Sequence, residues 1–428
     1  MTRPALSPTT EEHRPPTAEQ VDRGRPVLLA AFPGSAVLPM PSSGEPVGRA
    51  WLADAGIVDP KASSQHLSFS FEGGKWKVED LGSRNFTFRN GHRLDPRTKV
   101  PIEDGTVLRI GGTLLVLREA YRGPLRPMEA LGTLVGPFGL ADMHAAIAAV
   151  AARRLHPVLI EGPTGTGKEA VAREVARALG RMHKYTAVNV GGIPETLFEG
   201  QLFGSERGAY SGSVEAKSGV LRAHLGGAVF LDELGELPST SQPKLLRVLD
   251  GHGVMPLGGA RELPVDVAIV AATNRDLAAC VAQGSFRRDL LARFTFRIRL
   301  PSLAKRSEDL FAVTRALWER RYGTLDLGRV RVDVEAIELM MLQDWPGNVR
   351  DLDRLVASMD PGVGIKLSAV TQVLGVSAST AAPPPTVQAI EKAIAEAGSK
   401  SAAAKQLGIS RGYMNRRLDE KDDKKKEK

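Results

Sequence analysis

The run Gly162-Pro-Thr-Gly-Thr-Gly-Lys-Glu169 limits what this chain can fold into more than any other stretch, because of what lies on either side of it. Before it, Val158-Leu159-Ile160 is a short continuous apolar run such as a buried parallel strand presents. After it, Val171, Val175, Ala178 and Leu179 recur at helical spacing until Gly180 ends the pattern. A strand, a glycine-rich turn and a helix in that order make a cradle for phosphate. Gly162, Gly165 and Gly167 let backbone N–H groups close around phosphate oxygens beside Thr164 and Thr166. The new helix aims its N-terminus at the same oxygens, and Lys168 adds a point charge for the outer phosphates. A nucleotide is the expected ligand. Where a Ser or Thr hydroxyl usually holds magnesium this chain has Glu169, so the metal must lean on a carboxylate elsewhere.

A second apolar strand, Ala228-Val-Phe-Leu231, runs straight into Asp232-Glu233 and supplies that carboxylate. In a nucleotide site of this kind Asp232 would hold the Mg2+ that bridges β- and γ-phosphates, and Glu233 would polarise the attacking water. The bland alternative is an acidic pair merely leaving a strand. Tyr185 to Val188 reads as a further strand ending at Asn189, and Val265 to Ala272 as another, with Thr273 and Asn274 at its end. Ligands of open α/β sheets bind at the carboxyl ends of strands, which would put the Asn274 amide against the γ-phosphate. Arg287 and Arg293 follow; taken alone, two arginines usually mark a solvated face. Pro301 closes the sheet, and residues 302–372 read as mostly helical, with Trp345-Pro-Gly-Asn-Val-Arg350 at a helix start.

With 428 residues, 42% of them hydrophobic and 25% charged, the chain has room for two or three ordinary globular domains. A single cysteine, Cys280, excludes an internal disulfide framework and fits a reducing cytoplasm. The first residues carry Pro4, Pro8, Pro15 and Pro16 among charges instead of an apolar leader. No run approaches the roughly 18 apolar residues of a membrane helix, so neither export nor anchoring is expected. The net charge of +8 permits nucleic-acid partners but would also arise from solvated basic faces.

Residues 1–26 are Pro-rich without apolar periodicity and read as a disordered arm. From 27 to 120 the period becomes two: Leu67, Phe69 and Phe71 alternate with polar residues, Gly73-Gly74 turns the chain, and Trp76 and Val78 resume on the return strand. Asn90-Gly91 marks another turn. With Val107 to Ile110 and Leu114 to Leu117 following, this is an all-β domain of sandwich type. Gly48-Arg49, Ser63 with His66, and Gly82-Ser83-Arg84-Asn85 with Thr87 give the block a resemblance to forkhead-associated (FHA) domains. That family reads phosphothreonine on loops at one end of its sandwich. The resemblance implies that Arg49, Ser63, Ser83, Arg84 and Asn85 face a phosphopeptide and that a phosphothreonine protein is a partner. Ser64 stands where the family usually has a phosphate-contacting arginine, and Phe86 where it usually has glycine. The alternative is a sandwich that only docks on its neighbour.

After a linker at 121–130, the segments from 131 to about 370 resemble the AAA+ domain of bacterial sigma-54-dependent activators, the enhancer-binding proteins. The match includes the phosphate loop with its Glu169, Asn189 followed by Ile193-Pro-Glu-Thr-Leu197, Gly226-Gly227 through Leu237-Pro238, Thr273-Asn274, Phe286-Arg287 to Arg293, and Trp345 to Arg350. The resemblance implies ATP and Mg2+ as cofactors and an ATPase. In it Asn189 couples Glu233 to nucleotide state, Thr273 and Asn274 form a first sensor and Arg350 a second. Arg287 and Arg293 would reach the γ-phosphate of the neighbouring subunit. An arginine acting in trans requires a closed head-to-tail homo-oligomer, which in this family is usually a hexameric ring. The family contacts its sigma factor with a Gly-Ala-Phe-Thr-Gly-Ala loop. Here the loop is Gly208-Ala209-Tyr210-Ser211-Gly212-Ser213, which keeps an aromatic tip and a hydroxyl between flanking glycines. The other reading is a turn built from Gly and Ser.

A Pro- and Ser-rich linker covers 373–385, and a small helical module covers 386–420 ahead of a charged tail at 421–428. Ile390, Ala393, Ile394 and Ala397 form one apolar stripe. Ala402 to Leu407 and Ser410 to Leu418 then have helix-turn-helix spacing, with Ser410 able to cap the second helix. Over 386–418, six Lys and Arg against two Glu leave a local +4 that suits phosphate contact. The module resembles the Fis-type DNA-binding domain, which implies Ser410, Arg411, Tyr413, Asn415 and Arg416 at or beside the major groove of double-stranded DNA. A helical hairpin for dimerisation is the alternative.

The whole chain thus reads as multidomain: an FHA-like all-β sandwich (27–120), an α/β AAA+ P-loop NTPase (131–301) with a helical lid (302–372), and an all-α helix-turn-helix. The expected function is ATP-dependent remodelling of sigma-54 RNA polymerase from upstream DNA, regulated through the sandwich. Two rivals stand beside it: a non-catalytic DNA-bound scaffold or repressor, and an AAA+ regulator that acts on a client other than sigma-54.

Overall fold

The computed structural model describes residues 24–209, 215–327 and 329–375, followed by 387–397, 399–400 and 403. Among them the head is a sandwich of two sheets. Its strands are β1 (Arg25–Phe32), β2 (Ala36–Pro39), β3 (Pro46–Val47), β4 (Leu67–Glu72), β5 (Lys75–Asp80), β6 (Thr87–Arg89), β7 (His92–Arg93), β8 (Lys99–Ile102), β9 (Val107–Ile110) and β10 (Thr113–Tyr121), with a helical turn, α1 (Arg49–Asp54), after β3. One sheet has the order β2-β1-β10-β9-β6-β7 and the other β3-β4-β5-β8. Period-two alternation sets the inner face: Leu67, Phe69 and Val78 of one sheet meet Leu28, Ile110, Leu115 and Leu117 of the other in one core. Both expected turns are present. Glu72 pairs with Lys75 across Gly73-Gly74, and Arg89 with His92 across Asn90-Gly91, whose φ values of 48° and 78° suit a tight two-residue hairpin.

The unbroken apolar run Leu114 to Leu117 does not alternate, and the structure supplies the reason: β10 is buried on both faces. Leu115 and Leu117 point into the sandwich, whereas Leu114 and Val116, with Phe32 and Val107, enter a second core built mainly from the helical lid. Phe32 meets Phe311 edge-on at 4.7 Å. Arg109, stacked 3.6 Å over Phe88, bonds Glu338 at 2.6 Å and Glu335 at 3.0 Å. The Arg109 and Glu338 side chains are only 6% and 4% exposed, and removing one partner of such a pair typically costs about 3–5 kcal/mol. Arg118 is paired with Glu308. Head and lid are therefore packed as one body.

The central domain follows α2 (Ala141–Arg153). Its strands are β11 (Val158–Glu161), β12 (Tyr185–Asn189), β13 (Ala228–Asp232), β14 (Ala268–Thr273) and β15 (Phe296–Arg299). They pair in parallel in the order β12-β13-β14-β11-β15, so β14 sits between the phosphate-loop strand and the acidic strand. The helices between them are α3 (Lys168–Ala178), α4 (Glu195–Phe203), α5 (Gly219–Ala223), α6 (Gln242–Leu249), α7 (Leu277–Ala282) and α8 (Arg288–Arg293). The strand expected from Val265 begins only at Ala268, where its pairing with β13 starts; before it, the Asp266 carbonyl accepts the Gly226 N–H at 2.7 Å. The lid carries α9 (Leu310–Tyr322), α10 (Val334–Met341), α11 (Val349–Ala357) and α12 (Leu367–Leu374). The helix α13 (Val387–Ala397) opens the C-terminal module.

Candidate functional site

Parallel pairing brings the carboxyl ends of β11, β12, β13 and β14 to one edge, where Asn189, Asp232 and Thr273 end their strands and the phosphate loop leaves β11. The phosphate loop leaves β11 at Glu161 and enters α3 at Lys168. Gly165 has φ 75°, and a Cβ there would lie 2.1 Å from the Gly347 carbonyl, so glycine is required by both backbone and space. The Lys168 ammonium donates to the Gly162 and Pro163 carbonyls at 3.0 and 3.1 Å, which holds it across the loop. Burial lowers its pKa below the ordinary 10.5, while Asp232 and Glu233 pull it up and Arg350 pushes it down. Lys168 is thus within electrostatic reach of Asp232, Glu233 and Arg350. Thr166 is buried and donates to the Pro163 carbonyl, and Glu169 pairs with Arg173 one helical turn on.

At the end of β13, Asp232 accepts the Glu233 N–H at 3.0 Å, and Glu233 takes a left-handed backbone with φ 58°. Non-glycine residues in that region persist only where surrounding structure fixes them. Asn189 does not bond Glu233; its Oδ1 accepts the Gly192 N–H at 3.1 Å. Gly191 lies between the two, and a Cβ there would be 2.6 Å from Glu233 Oε2 and 3.6 Å from Asn189 Oδ1. Glycine at 191 thus keeps open the space in which the carboxylate rests, a role that no spacing rule reveals. Thr273 is buried and accepts the Arg275 N–H, and Asn274 donates to the Thr164 hydroxyl at 2.9 Å.

The lid reaches the same loop through a residue the sequence reading left without a role. Asn348, 2% exposed, accepts the Leu303 N–H at 2.8 Å and donates to the Thr164 carbonyl at 2.9 Å, while the Val349 N–H donates to the Gly165 carbonyl at 3.0 Å. These bonds set Arg350 at the start of α11 over the loop. Arg287 and Arg293 are elsewhere: Arg287 pairs with Asp289 and Arg293 with Asp250, and both side chains are about half exposed.

A magnesium ion bound with a nucleotide needs one or two protein carboxylates besides water and phosphate oxygens. Asp232, at the carboxyl end of β13 and within electrostatic reach of Lys168, could supply that carboxylate without Glu169. Among the described residues no cluster of three His, Cys, Asp or Glu could hold a metal by itself, and no helix is long and apolar enough to cross a membrane.

In the head, Arg49 donates to the Ala62 carbonyl at 3.1 Å, the Ser63 hydroxyl accepts the Arg84 N–H at 3.1 Å, and Asn85 donates to the Lys61 carbonyl at 2.6 Å. The expected loops are therefore joined at one end of the sandwich. Ser83 is buried and gives its hydroxyl to Asp80 at 2.7 Å. His66 Nδ1 accepts the Ser63 N–H at 3.0 Å, which leaves Nε2 as the protonated nitrogen facing the Phe86 carbonyl at 3.1 Å. Burial lowers the His66 pKa from the ordinary 6.5, against the Phe86 carbonyl, Asp80 and Asp59. A base with a depressed folded pKa stabilises the fold above its unfolded value, and this contribution is lost as pH falls through the folded value. Amide protection of β4 and the 82–87 loop is expected to fall below about pH 6 and to vary less with pH in His66→Gln. Equal profiles for the two proteins would remove His66 as the acid-sensitive element.

Of the expected sigma-factor loop, Gly208 and Ala209 are described and carry the chain off a Glu206 turn. Tyr210, Ser211, Gly212 and Ser213 lie outside the described residues, as do Ser410, Arg411, Tyr413, Asn415 and Arg416.

Family models match in chain order: an FHA domain over 46–111, a sigma-54 interaction domain over 139–299, and a bacterial regulatory protein of the Fis family over 388–420. The pathogenicity locus probable regulatory protein WtsA of Pantoea stewartii is 36% identical over 233 residues, which span 53% of this chain and 72% of that protein. The response regulator protein PilR of Pseudomonas aeruginosa is 35% identical over 268 residues (60% and 57%). The sigma54-dependent transcriptional regulator SfnR of Pseudomonas fluorescens is 41% identical over 201 residues (46% and 55%). The chain thus spans a little over half the length of the last two. Among solved structures, NtrX from Brucella abortus in complex with ATP aligns with a TM-score of 0.49 at 27% identity, covering 68% of this chain and 69% of that one.

Proposed function

The chain belongs to the sigma-54-dependent transcriptional regulators, with an AAA+ ATPase of the sigma-54 interaction type at its centre, and from that premise we propose that it hydrolyses ATP to remodel sigma-54 RNA polymerase from upstream DNA. The observation that carries this reading is the bonding of the phosphate loop: Lys168 spans its Gly162 and Pro163 carbonyls, Asn274 donates to the Thr164 hydroxyl and Asn348 ties the lid to the Thr164 carbonyl, while Asp232 ends β13 and Glu233 follows it at the same edge of the sheet. Lys168 neutralises the outer phosphates, Glu233 orients water in line with the γ-phosphorus, and Arg350 reports the nucleotide to the lid. Asp232 would hold Mg2+, which when bound neutralises charge on the β- and γ-phosphate oxygens.

Arg287 and Arg293 complete the site of a neighbouring subunit in a closed homo-oligomer, taken as hexameric. Their half-exposed positions suit them to reach outward, and surface ion pairs such as theirs are worth only about 0–1 kcal/mol. Tyr210 and Ser211 carry the sigma-factor contact, the 386–420 module grips double-stranded DNA through Arg411, Tyr413, Asn415 and Arg416, and the head reads a phosphothreonine protein with Arg49, Ser63, Arg84 and Asn85. The work takes place in the cytoplasm.

Run-off transcription with sigma-54 polymerase tests the reading. Transcripts are expected only with ATP, and Tyr210→Ala should keep most ATP turnover yet lose transcripts, since an aromatic anchor at an interface contributes about 2–4 kcal/mol. ATP turnover without transcripts from the wild-type chain would point to another client.

A further inference from the structure

Phe86 departs from its family's glycine in the middle of the head's recognition loop. Its backbone keeps the left-handed conformation, φ 58°, that glycine adopts without strain. A bulky residue stays in that region only where something holds it there. Two things hold Phe86. Its carbonyl is bonded by the buried His66 ring, and its own ring, 4% exposed, belongs to one buried cluster with Phe88, Ile390, Ala393 and Ala403, against which Ile394 and Ala397 also pack. The stripe of α13 that the sequence marks as apolar is therefore seated, at least at Ile390 and Ala393, on the head. The guanidinium of Arg93 closes over Phe86 at 4.6 Å.

We propose that α13, with Ala403, docks on the Phe86–Phe88 edge of the head as a latch that restrains the C-terminal module from DNA, and that the recognition loop operates it. The inference rests on the reading of 386–420 as a DNA-binding module and adds its regulation. The coupling is built from side chains already placed. One imidazole accepts the Ser63 N–H on one side and faces the Phe86 carbonyl on the other, and Asn85, bonded to the Lys61 carbonyl, is the immediate neighbour of Phe86. A ligand that moves Ser63 or Asn85 must shift the backbone on which Phe86 stands. Because Arg109, stacked on Phe88, bonds Glu338 of the lid, the latch also sits on the body that carries Arg350.

Hydrogen exchange of the 387–397 amides in the full chain reads the docking, and binding to a random-sequence DNA duplex at fixed low salt reads the restraint. Phe86→Gly removes the ring while suiting the left-handed backbone, and Ala393→Glu puts a charge on the docked face with a good helix former, at a position outside the head's own core cluster. Both variants are expected to speed exchange by about tenfold or more and to tighten apparent DNA affinity about threefold or more, as the fraction of free module rises. Unchanged exchange in both variants overturns the docking. Faster exchange with unchanged affinity overturns the latch. If neither the wild type nor the variants bind DNA, the DNA-binding reading falls and the latch with it, whereas exchange still reports whether α13 is seated on the head.

Discussion

Arg293→Ala is expected to lower ATP turnover by about 10³–10⁵-fold, the range over which an arginine supplied in trans stabilises phosphoryl transfer. Binding of nucleotide by the mutated chain should persist, because Lys168, Asn274 and Asn348 bond its own phosphate loop and Arg293 is tied to Asp250. The stabilisation comes from a charge that meets the γ-phosphate only as it is transferred, so turnover should fall with little change in affinity. Mixing makes the test specific. A Lys168→Ala chain has an intact Arg293 and a crippled loop, and an Arg293→Ala chain has the reverse. At interfaces where the first lends its arginine to the second, a complete site forms. Turnover should therefore pass through a maximum as the two are mixed. If no ratio restores activity, each site is complete within one chain, and the ring that the arginines imply loses its motive.

The phosphate site was legible because each of its parts is set by local chemistry. Glycines at fixed intervals, a lysine at the helix start and carboxylates at a strand end say what they do within a few residues of sequence. What remained hidden depends on partners far away. Asn348 bonds Thr164 across 184 positions, and Arg109 meets Glu338 across 229, distances that no window of sequence spans. Gly191 carries no signal in its own stretch of sequence because its reason lies on Glu233, at the end of another strand. Ser83 matched a recognition pattern, yet its hydroxyl is held inward by Asp80. Conversely, the departure at Phe86 is visible in the sequence and marks a face where one domain rests on another, whereas the apolar run of β10 reads as an ordinary strand until its second face meets the lid. The break in pattern at Phe86 carried an interdomain contact, as expected when a surface position is buried by a neighbour and not by its own core.

Glu233→Gln should slow hydrolysis by about 10²–10⁴-fold, the usual worth of a positioned general base, with nucleotide affinity close to that of the wild-type chain. The amide has the carboxylate's shape, so it fits the space that Gly191 leaves beside Glu233 and does not disturb the Asp232 bond to the 233 N–H. What it lacks is the capacity to take a proton from water. The contrast is with Lys168→Ala, which removes the charge spanning the loop carbonyls and should weaken nucleotide binding itself. The left-handed backbone at 233 sharpens the expectation: the strain is retained in the variant, so a change in turnover can be assigned to the functional group and not to a relaxed strand end. Measuring both single-turnover hydrolysis and nucleotide affinity separates the outcomes. Slow hydrolysis with retained binding places Glu233 at the chemical step. Loss of both would mean that the carboxylate shapes the binding site, and wild-type turnover would remove Glu233 from the mechanism and leave Asp232 alone at the end of β13.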